Sequence, residues 1–470
     1  MTAQPQVAVS LASGQPPEYP VGLLPEIRGA IRTSGKTLVV LDDDPTGTQT
    51  VHDVSVLTVW DVESLAAMLG SGATCFYILT NSRSLPAADA ERLNREIGTN
   101  LRIASERTGR ALAVTSRSDS TLRGHFPGEV RALESALGAE FDAWLLVPFF
   151  LEGGRFTVDD VHYVAEGSCF IPAAKTPYAR DAAFGYQNSN LRAWVEEKTG
   201  GQVRADEVVS ISLETIRRGP EQVCEQLMAM PRGSIGVVNA LTYRDMESFV
   251  AGLLRAEAAG KRYLYRTAAS FVRVRAGIEA RPLLSAHDLA LPAKGGGLFV
   301  VGSYVPKTTA QLEMLLTHTD IAAIEIQASL LVDETSAEGE IQRVAATVNR
   351  LLEAGRDVVV YTSRALVRGS DPAHSLHLGS RVSQGLIDVV RRLTVQPRYL
   401  VAKGGITSSD VATQGLGVQR ATVAGQILPG VPVWVLGEES RFPGAAYVVF
   451  PGNVGNENSL ALVFKALRLA

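Results

Sequence analysis

The sequence predicts an α/β protein of two domains, each built on a mostly parallel sheet, with a cleft between them. Three observations support this fold class. Short apolar runs alternate with longer stretches that carry apolar residues at helical spacing. The alternation breaks once, in a segment rich in proline and glycine between residues 281 and 297, which is typical of a flexible boundary. The chain of 470 residues is also longer than one hydrophobic core usually serves.

Six strands are predicted before the boundary, each a short run of apolar or β-branched residues. They span residues 38–41, 74–80, 111–115, 144–147, 235–239 and 262–265, and helices are predicted at 62–69, 87–107 and 128–137. Residues 163–167 and 169–172 indicate a small hairpin or lid. Strands that alternate with helices are typical of a parallel sheet covered on both faces.

After the boundary the same alternation resumes. Strands are predicted at 298–302, 322–326, 358–361, 399–401, 432–436 and 447–450, with helices at 308–316, 340–352, 376–393 and 459–469. We therefore expect an N-terminal extension over residues 1–35, a first domain over 36–285 and a second over 296–470.

The composition excludes several classes of protein. A formal net charge of −4 argues against general nucleic-acid binding, which requires a basic face. The three cysteines lie far apart, so neither a disulfide framework nor a cysteine-rich zinc site is expected. No apolar run approaches the roughly 20 residues that span a bilayer, and no basic-then-apolar signal begins the chain. We expect a cytoplasmic protein with no membrane partner.

The first predicted strand runs into three successive carboxylates, Asp42, Asp43 and Asp44. In open α/β sheets, ligands bind beyond the carboxyl ends of the strands. One interpretation of this segment is a solvated turn with a helix cap, since Asp and Thr favour such positions. The other is a general base or a cation ligand in a cleft.

The next two strand ends are also polar. One carries Asn81-Ser82-Arg83-Ser84, and the other carries Arg117, Ser118, Asp119, Ser120 and Arg123. Each loop alone is compatible with a purely structural role. Together they suit a small polyhydroxylated anion, because arginine binds a carboxylate with two parallel hydrogen bonds, whereas Asp and Ser bind hydroxyl groups.

In the second half the strand ends are rich in glycine and hydroxyl groups. They are Gly302-Ser303, Thr362-Ser363-Arg364, the segment from Lys403 to Asp410, and the segment from Pro451 to Asn456. Glycine lets backbone amides approach phosphate oxygens, and a helix that starts there adds a favourable dipole. Ordinary βα turns share this composition, but several in one domain favour a nucleotide site.

Three other patterns are compatible at first sight with a phosphate-binding loop, a metal site or a phosphatase. Gly35-Lys36-Thr37 is not a phosphate-binding loop, because it precedes its strand. His374 and His377 have a spacing that two metal ligands sometimes show, but such pairs are more often exposed. Asp42 and Asp44 resemble the first motif of haloacid-dehalogenase-type phosphatases, with Asp42 as nucleophile, and a sugar phosphatase therefore remains an alternative.

In order, the motifs Asp-Asp-x-Thr-Gly, Thr-Asn-Ser-Arg and Ser-Asp-Ser-Thr-Leu-Arg-Gly, followed by Gly-Ser, Gly-Gly-Ile-Thr-Ser and Pro-Gly-Asn-Val-Gly, resemble the four-carbon acid sugar kinase family. The resemblance extends from about residue 36 to the end. It implies ATP-dependent phosphorylation of the terminal hydroxyl of a threonate, erythronate or 3-oxo-tetronate type of acid.

The resemblance also implies roles for individual residues. Apart from the resemblance, we expect a carboxylate of Asp43, Asp44 or Asp119 to orient or deprotonate the hydroxyl; Asp43 is favoured, and Asp43 and Asp119 are the expected catalytic residues. A non-catalytic sugar-acid sensor is a further alternative. The sugar acid would contact Asp43, Asp44, Arg83, Arg117, Ser118, Asp119, Ser120 and Arg123, with Arg83 and Arg117 holding its carboxylate. The nucleotide would contact Ser303, Gly404, Gly405, Ile406, Thr407, Gly452 and Asn453. The expected cofactors are ATP and Mg²⁺, with metal ligands unidentified, and a homodimer is a further expectation.

Overall fold

The computed structural model describes residues 13–167, 169–303, 305–364, 372–452 and 454–468, with the side chains of 372–377 left out. The chain divides into two compact units. The first comprises Met1–Val51 and Val59–Ala280, and the second comprises His52–Thr58 and Arg281–Ala470. Each unit combines helices with a mostly parallel sheet, and the prediction of two α/β domains is confirmed.

The first unit is built on a seven-stranded parallel sheet with the order β3-β1-β4-β11-β5-β10-β9. Its strands are β1 (Thr37–Asp42), β3 (Cys75–Leu79), β4 (Leu112–Arg117), β5 (Ala143–Val147), β9 (Val209–Ile211), β10 (Ser234–Val238) and β11 (Tyr263–Thr267). Every residue of β1, β3 and β11 is buried, as expected for strands with helices on both faces.

A smaller antiparallel sheet, β6-β7-β8, lies within the same unit. Its strands are β6 (Arg155–Val158), β7 (Val161–Glu166) and β8 (Cys169–Pro172). The sequence indicated β7 and β8 as a hairpin. It did not indicate β6, which follows the tight turn between Phe150 and Arg155.

Within the described residues of this unit, nine helices connect the strands. They are α1 (Leu24–Ser34), α2 (Val62–Gly70), α3 (Ala87–Thr108), α4 (Gly128–Leu137), α5 (Leu191–Lys198), α6 (Leu213–Arg218), α7 (Pro220–Ala229), α8 (Tyr243–Ala258) and α9 (Ala269–Arg275). Helix α8 begins with a capping box in which Thr242 and Asp245 exchange hydrogen bonds with each other's backbone.

The second unit has an eight-stranded sheet with the order β13-β14-β12-β15-β18-β17-β16-β2. The first five strands in this order are parallel and the last three are antiparallel to their neighbours. The strands are β2 (Val54–Leu57), β12 (Leu298–Val301), β13 (Ala322–Ile326), β14 (Val358–Thr362), β15 (Tyr399–Lys403), β16 (Arg420–Leu428), β17 (Val431–Leu436) and β18 (Ala446–Phe450).

The helices of the second unit pack on this sheet. They are α10 (Pro306–His318), α11 (Ala328–Leu331), α12 (Ala337–Glu353), α13 (Pro372–Arg391), α14 (Gly405–Asp410) and α15 (Ser459–Leu467), and a single π-helical turn, Val411–Gly415, follows α14. Within the described part of the chain, no helix is long and apolar enough to cross a membrane.

Two segments differ from the domain boundaries that the sequence suggested. Strand β2 falls within the predicted first domain, but it belongs to the second unit because its edge pairs with β16, with Val56 opposite Ala421. Residues 24–34, expected within the N-terminal extension, form α1 instead. Its apolar side chains Ile27 and Ile31 are buried, and Arg28 Nε donates to the Gly277 carbonyl at 2.7 Å.

Candidate functional site

The carboxyl ends of β3, β1 and β4 bring three of the predicted loops side by side. These strands are neighbours and run parallel, so their carboxyl ends lie at one edge of the sheet. In this register Asp42 lies opposite Leu79 of β3 and Arg117 of β4. The loops that begin at Asp43, Thr80 and Ser118 are therefore adjacent.

Arg83 joins carboxylates from two of these loops. Its Nη2 donates to Asp43 Oδ1 at 2.9 Å and lies 3.4 Å from Asp44 Oδ2, while its Nη1 lies 3.6 Å from Asp119 Oδ1. A 3-10 turn over Ser82–Ser84 directs Arg83 towards β1. Asn81, just before the turn, has a φ of 51°, a left-handed conformation that asparagine tolerates.

Arginine neighbours keep Asp44 and Asp119 ionised. Burial alone would raise the pKa of each carboxyl group, because it disfavours the charged form. At Asp44 this effect is outweighed by Arg83 and by hydrogen bonds from Thr46, so its pKa is lowered. At Asp119 burial is outweighed by Arg123 and then Arg83, and the pKa lies well below its ordinary range.

Asp42 and Arg117 form a deeper pair. Arg117 Nη1 lies 3.2 Å from Asp42 Oδ1, and the two side chains are only 3% and 2% exposed. Burial raises the pKa of Asp42 to about 8, since the charge of Arg117 only partly offsets desolvation and the neighbouring carboxylates. A side chain at Gly47 would overlap the Asp42 carboxylate, which leaves no open face there. Arg117 therefore has almost no surface for a substrate carboxylate.

The loop after β4 contributes hydroxyl groups and a second half-buried arginine. Ser118 Oγ donates to Asp43 Oδ2 at 2.5 Å, so Asp43 is held from both sides. Ser120 is buried and its carbonyl accepts a hydrogen bond from His162 Nε2 at 2.8 Å. Arg123 Nε donates to Asp119 Oδ2 at 2.7 Å.

Two buried residues of this site were missed in the sequence. Arg266, near the end of β11, donates from Nη1 to Ser116 Oγ at 3.1 Å and lies 3.5 Å from Glu129 Oε2. The strand-end rule that found Asp43 would have found Arg266, because β11 is the neighbour of β4. Glu129 lies on helix α4 and carried no such signal.

We call the charged side chains of this edge the arginine–carboxylate cluster. Its members are Asp42, Asp43, Asp44, Arg83, Arg117, Asp119, Arg123, Glu129 and Arg266. A small cavity beside it is lined by two residues of the cluster, two hydroxyl residues and four apolar residues, namely Asp119, Arg266, Ser118, Thr267, Leu122, Leu146, Pro148 and Trp194. The cluster combines ionised carboxylates, hydroxyl groups and guanidinium groups in a surface that suits a small hydroxylated ligand.

In the second unit, the ends of β12, β15 and β18 bring glycine-rich turns together. Gly404 has a φ of 118°, and a Cβ placed there would lie 3.5 Å from Ser303 Cβ and 3.4 Å from Thr407 Oγ1. A Cβ at Gly452 would lie 4.0 Å from Gly404 Cα. We call these segments the glycine turns: Gly302-Ser303, residues 404–407 and Pro451-Gly452. A Cβ at Gly404 or Gly452 would make only ordinary contacts, whereas one at Gly302 would lie 2.6 Å from Thr407 Oγ1, so the backbone is open to a ligand at Gly404 and Gly452.

Helix α14 starts directly after Gly404, so Gly405 and Ile406 form its first turn. The Ile406 side chain is exposed. Asn453, also predicted to contact the nucleotide, lies outside the described residues, as do the side chains of His374 and His377.

Lys403 begins one of the strand-end segments that the sequence indicated, but no contact was predicted for it. Its Nζ donates to the carbonyls of Pro451 and Gly452, at 2.5 and 3.2 Å, and lies 4.1 Å from the centroid of the Phe450 ring. Burial lowers the pKa of Lys403 to about 7, and the charge of Lys307 acts in the same direction. The lysine links the end of β15 to the turn after β18.

No group of three His, Cys, Asp or Glu side chains is arranged to hold a metal ion in the described part of the chain. The carboxylates of the arginine–carboxylate cluster are instead matched with arginines. These residues do not fit a dedicated magnesium site.

Sequence models of two domains match this chain. The sugar-binding N-terminal domain matches residues 38–275, and the nucleotide-binding C-terminal domain matches residues 298–460. The arginine–carboxylate cluster falls within the first match and the glycine turns fall within the second.

Two curated relatives and two solved structures are similar over most of the chain. D-erythronate kinase of Heliobacterium modesticaldum is 26% identical over 73% of this chain and 77% of its own length. 3-Oxo-tetronate kinase of Brucella melitensis is 24% identical over 76% of this chain and 77% of its own length. A Salmonella typhimurium structure aligns at 17% identity with a TM-score of 0.67, and the alignment covers 91% of this chain and 98% of that structure. A Haemophilus influenzae structure aligns at 18% identity with a TM-score of 0.60, and the alignment covers 92% of this chain and 100% of that structure. Because the two domain matches span most of the sequence in the order that the motifs suggested, the chain belongs to the four-carbon acid sugar kinase family.

Proposed function

We propose that this protein transfers the γ-phosphoryl group of ATP to the terminal hydroxyl of a four-carbon sugar acid. The observation that carries the proposal is the contrast between its two sets of strand ends. The unit that matches a sugar-binding domain presents arginines, carboxylates and hydroxyl groups, and the unit that matches a nucleotide-binding domain presents glycine turns. The kinase names of the relatives support the same reaction class.

Asp43 is proposed as the group that orients and deprotonates the attacking hydroxyl. Arg83 and Ser118 fix its two carboxylate oxygens, at 2.9 and 2.5 Å. Asp119 is the less suitable base, because Arg123 and Arg83 outweigh burial and hold its pKa well below the ordinary range, and a base works best with a pKa near the working pH. We assign Asp119 to holding Arg83 and Arg123 in position.

The remaining substrate contacts follow from exposure. Asp44 and Arg83 retain partial exposure, at 22% and 16%, and are proposed to contact the hydroxylated chain of the acid. Arg117 is proposed to support the cluster from below through Asp42. ATP is proposed to bind at the glycine turns with its phosphates near Gly404, where the backbone is open.

Magnesium accompanies ATP in most kinases and neutralises phosphate charge when bound. Since the described residues do not fit a metal site of their own, no step of this proposal passes through the ion.

The phosphatase alternative has less support. It requires Asp42 as an accessible, ionised nucleophile, but Asp42 is 2% exposed and burial raises its pKa to about 8. A sugar-acid sensor without catalysis would bind both ligands and form no ADP.

One assay separates these functions. Purified protein is incubated with ATP, Mg²⁺ and a panel of tetronates, and ADP formation is measured together with phosphate release from tetronate phosphates. We expect ADP formation that depends on one or a few tetronates. Phosphate release without ATP would favour the phosphatase, and binding of both ligands without ADP would favour the sensor.

A further inference from the structure

The four arginines of the arginine–carboxylate cluster share one property, which is that a carboxylate of the protein already lies within 4 Å of each guanidinium. The closest pairs are Arg83 with Asp43 at 2.9 Å, Arg117 with Asp42 at 3.2 Å, Arg123 with Asp119 at 2.7 Å, and Arg266 with Glu129 at 3.5 Å. Arg123 also lies 3.7 Å from Asp181.

These arginines are therefore poorly placed to bind the carboxylate of an incoming acid. Each would have to give up a partner, and breaking a buried ion pair leaves a charge without compensation. The carboxyl groups that lie within 4 Å of the four guanidinium groups are those of Asp42, Asp43, Asp44, Asp119, Glu129 and Asp181. A substrate anion needs a further cation nearby.

Arg155 differs from all four. It is the first residue of β6 and is half-buried. Within the described ranges, no carboxylate oxygen lies within 4 Å of its guanidinium, and its buried Nε, like those of Arg83 and Arg117, donates no hydrogen bond. A half-buried guanidinium without an anion is costly unless a ligand supplies one.

Its position places Arg155 beside the loop after β4. The guanidinium carbons of Arg155 and Arg123 lie 5.7 and 5.2 Å from the centroid of the same ring, that of Tyr178. The positive charge of Arg155 also adds to burial in lowering the pKa of His162, which donates to the carbonyl of Ser120. Arg155 therefore lies next to the arginine–carboxylate cluster, on the side of Ser120 and Arg123.

We propose that Arg155 receives the carboxylate of the sugar acid and so determines the specificity for an acid over an uncharged polyol. This inference rests on the proposed function. A guanidinium with no carboxylate partner among the described residues can bind a carboxylate with two parallel hydrogen bonds, and the centroid of the Tyr178 ring lies 5.7 Å from the guanidinium carbon of Arg155. The carboxylates of the cluster then face the hydroxyl groups at the other end of the substrate.

The test compares Arg155→Met with wild type on two ligands, the tetronate that gives ADP formation and its neutral amide. For the tetronate we expect KM and the dissociation constant from calorimetry without nucleotide to rise roughly 10- to 100-fold, the effect of losing a charge-assisted hydrogen-bonded pair. Both constants for the amide stay within about twofold of wild type, because the contact that is lost requires a charge. Arg155→Lys keeps the positive charge but cannot form two parallel hydrogen bonds, and it gives an intermediate loss of tetronate affinity.

Arg95→Met is the matched control. Arg95 is an exposed arginine on α3 of the same unit, so its replacement removes the same charge away from the cluster. We expect wild-type constants for this variant.

Three outcomes would overturn the inference: unchanged tetronate affinity in Arg155→Met, an equal loss for acid and amide, or the same loss in Arg95→Met. If Arg155→Met does not fold, as judged by thermal unfolding, Arg155→Gln and Arg155→Lys provide the same comparison. The proposed function fails separately, if wild type binds a tetronate but forms no ADP, and the calorimetric comparison still tests Arg155 in that case.

Discussion

The arginine–carboxylate cluster and the glycine turns occupy equivalent places, the carboxyl ends of neighbouring parallel strands, yet they use opposite means to prepare for a ligand. In the first unit, charged side chains fill the strand ends and hold one another, as Arg83 holds Asp43 and Asp119. In the second, side chains are absent at Gly404 and Gly452, and the buried Lys403 bonds to the backbone. The difference is between a site shaped by side-chain electrostatics and one shaped by backbone geometry, and it implies different sensitivities to mutation.

The largest expected effect is on turnover in the first unit. Asp43→Asn should lower kcat by roughly 10²- to 10⁴-fold, because it removes the proposed base while keeping the hydrogen-bonding shape. Nucleotide affinity should remain that of wild type. The rate of ADP formation with the preferred tetronate measures kcat, and calorimetry with ADP measures the nucleotide affinity.

Asp206→Asn is the control for this change, since Asp206 is an exposed carboxylate of the same unit. Wild-type turnover in Asp43→Asn would remove Asp43 from the mechanism. A parallel loss of ADP affinity would contradict the separation of the two sites.

The next effect distinguishes the buried Arg117 from the more exposed Arg83 by the loss of stability that each substitution causes. Arg117→Met should lower the free energy of unfolding by about 1–3 kcal/mol, because the buried carboxyl group of Asp42, whose pKa burial raises to about 8, then loses its hydrogen-bond partner. Arg83 is more exposed, so Arg83→Met should cost less stability but more turnover. Denaturant unfolding and steady-state kinetics on both variants test this, and equal stability losses would show that depth does not distinguish them.

A smaller effect is expected for the backbone of the second unit. At a φ of 118° an alanine is strained by about 1–3 kcal/mol, and its methyl group would lie close to Thr407 and Ser303. Gly404→Ala should therefore weaken ATP binding roughly tenfold, with tetronate affinity unchanged.

Gly417→Ala is the matched control for Gly404→Ala. Gly417 also has a positive φ, of 64°, but a Cβ there meets open space. Unchanged ATP affinity in Gly404→Ala, or an equal loss in Gly417→Ala, would refute the role of the glycine turns.

The pH dependence of the unfolding free energy should have opposite signs for Asp42 and Lys403. Burial raises the pKa of Asp42 from 3.8 to about 8, so the native state keeps the proton of this carboxyl group at a pH where the unfolded state loses it. The contribution of Asp42 to the unfolding free energy is therefore full below pH 4 and is lost as the pH rises to 8. Lys403 is lowered from a pKa of 10.5 to about 7, so its contribution is full above pH 10.5 and is lost as the pH falls to 7.

Unfolding free energies of Asp42→Asn and Lys403→Met, each relative to wild type, check these signs. Each group can change the slope by at most about 1.4 kcal/mol per pH unit. If Asp42→Asn has the same slope as wild type between pH 5 and 7, Asp42 does not retain its proton in the native state.

Much of the first site was predictable because parallel strands end at one edge of their sheet. Once 38–41, 74–80 and 111–115 were identified as strands, their polar continuations had to lie near one another, and the contacts of Arg83 with Asp43 and Asp119 agree with this. Arg266 and Glu129 were missed because the same step was not applied to β11, and because Glu129 is one acid on an ordinary amphipathic helix.

Other features depended on pairings that no local pattern encodes. The nine-residue strand β16 has alternating burial, but Gly425, with a φ of 142°, interrupts its apolar run. Strand β2 is ordinary in sequence, and its membership of the second unit follows only from its pairing with β16. Arg155 is prominent only because it has no carboxylate partner within the described residues, which is a property of the neighbourhood.

The sequence by itself determined the α/β class, the positions of most strands along the chain and the chemical character of the two sets of strand ends. These are local properties, since hydrophobic periodicity and the residues that follow each strand are read along the chain. The tertiary structure decided which charges neutralise one another. It buried Arg117 with Asp42, joined Arg83 to three carboxylates, placed Lys403 on the Pro451 and Gly452 carbonyls and left Arg155 without a carboxylate among the described residues. The physical reason is that electrostatic roles depend on distance and burial, and both are fixed only when distant segments pack together.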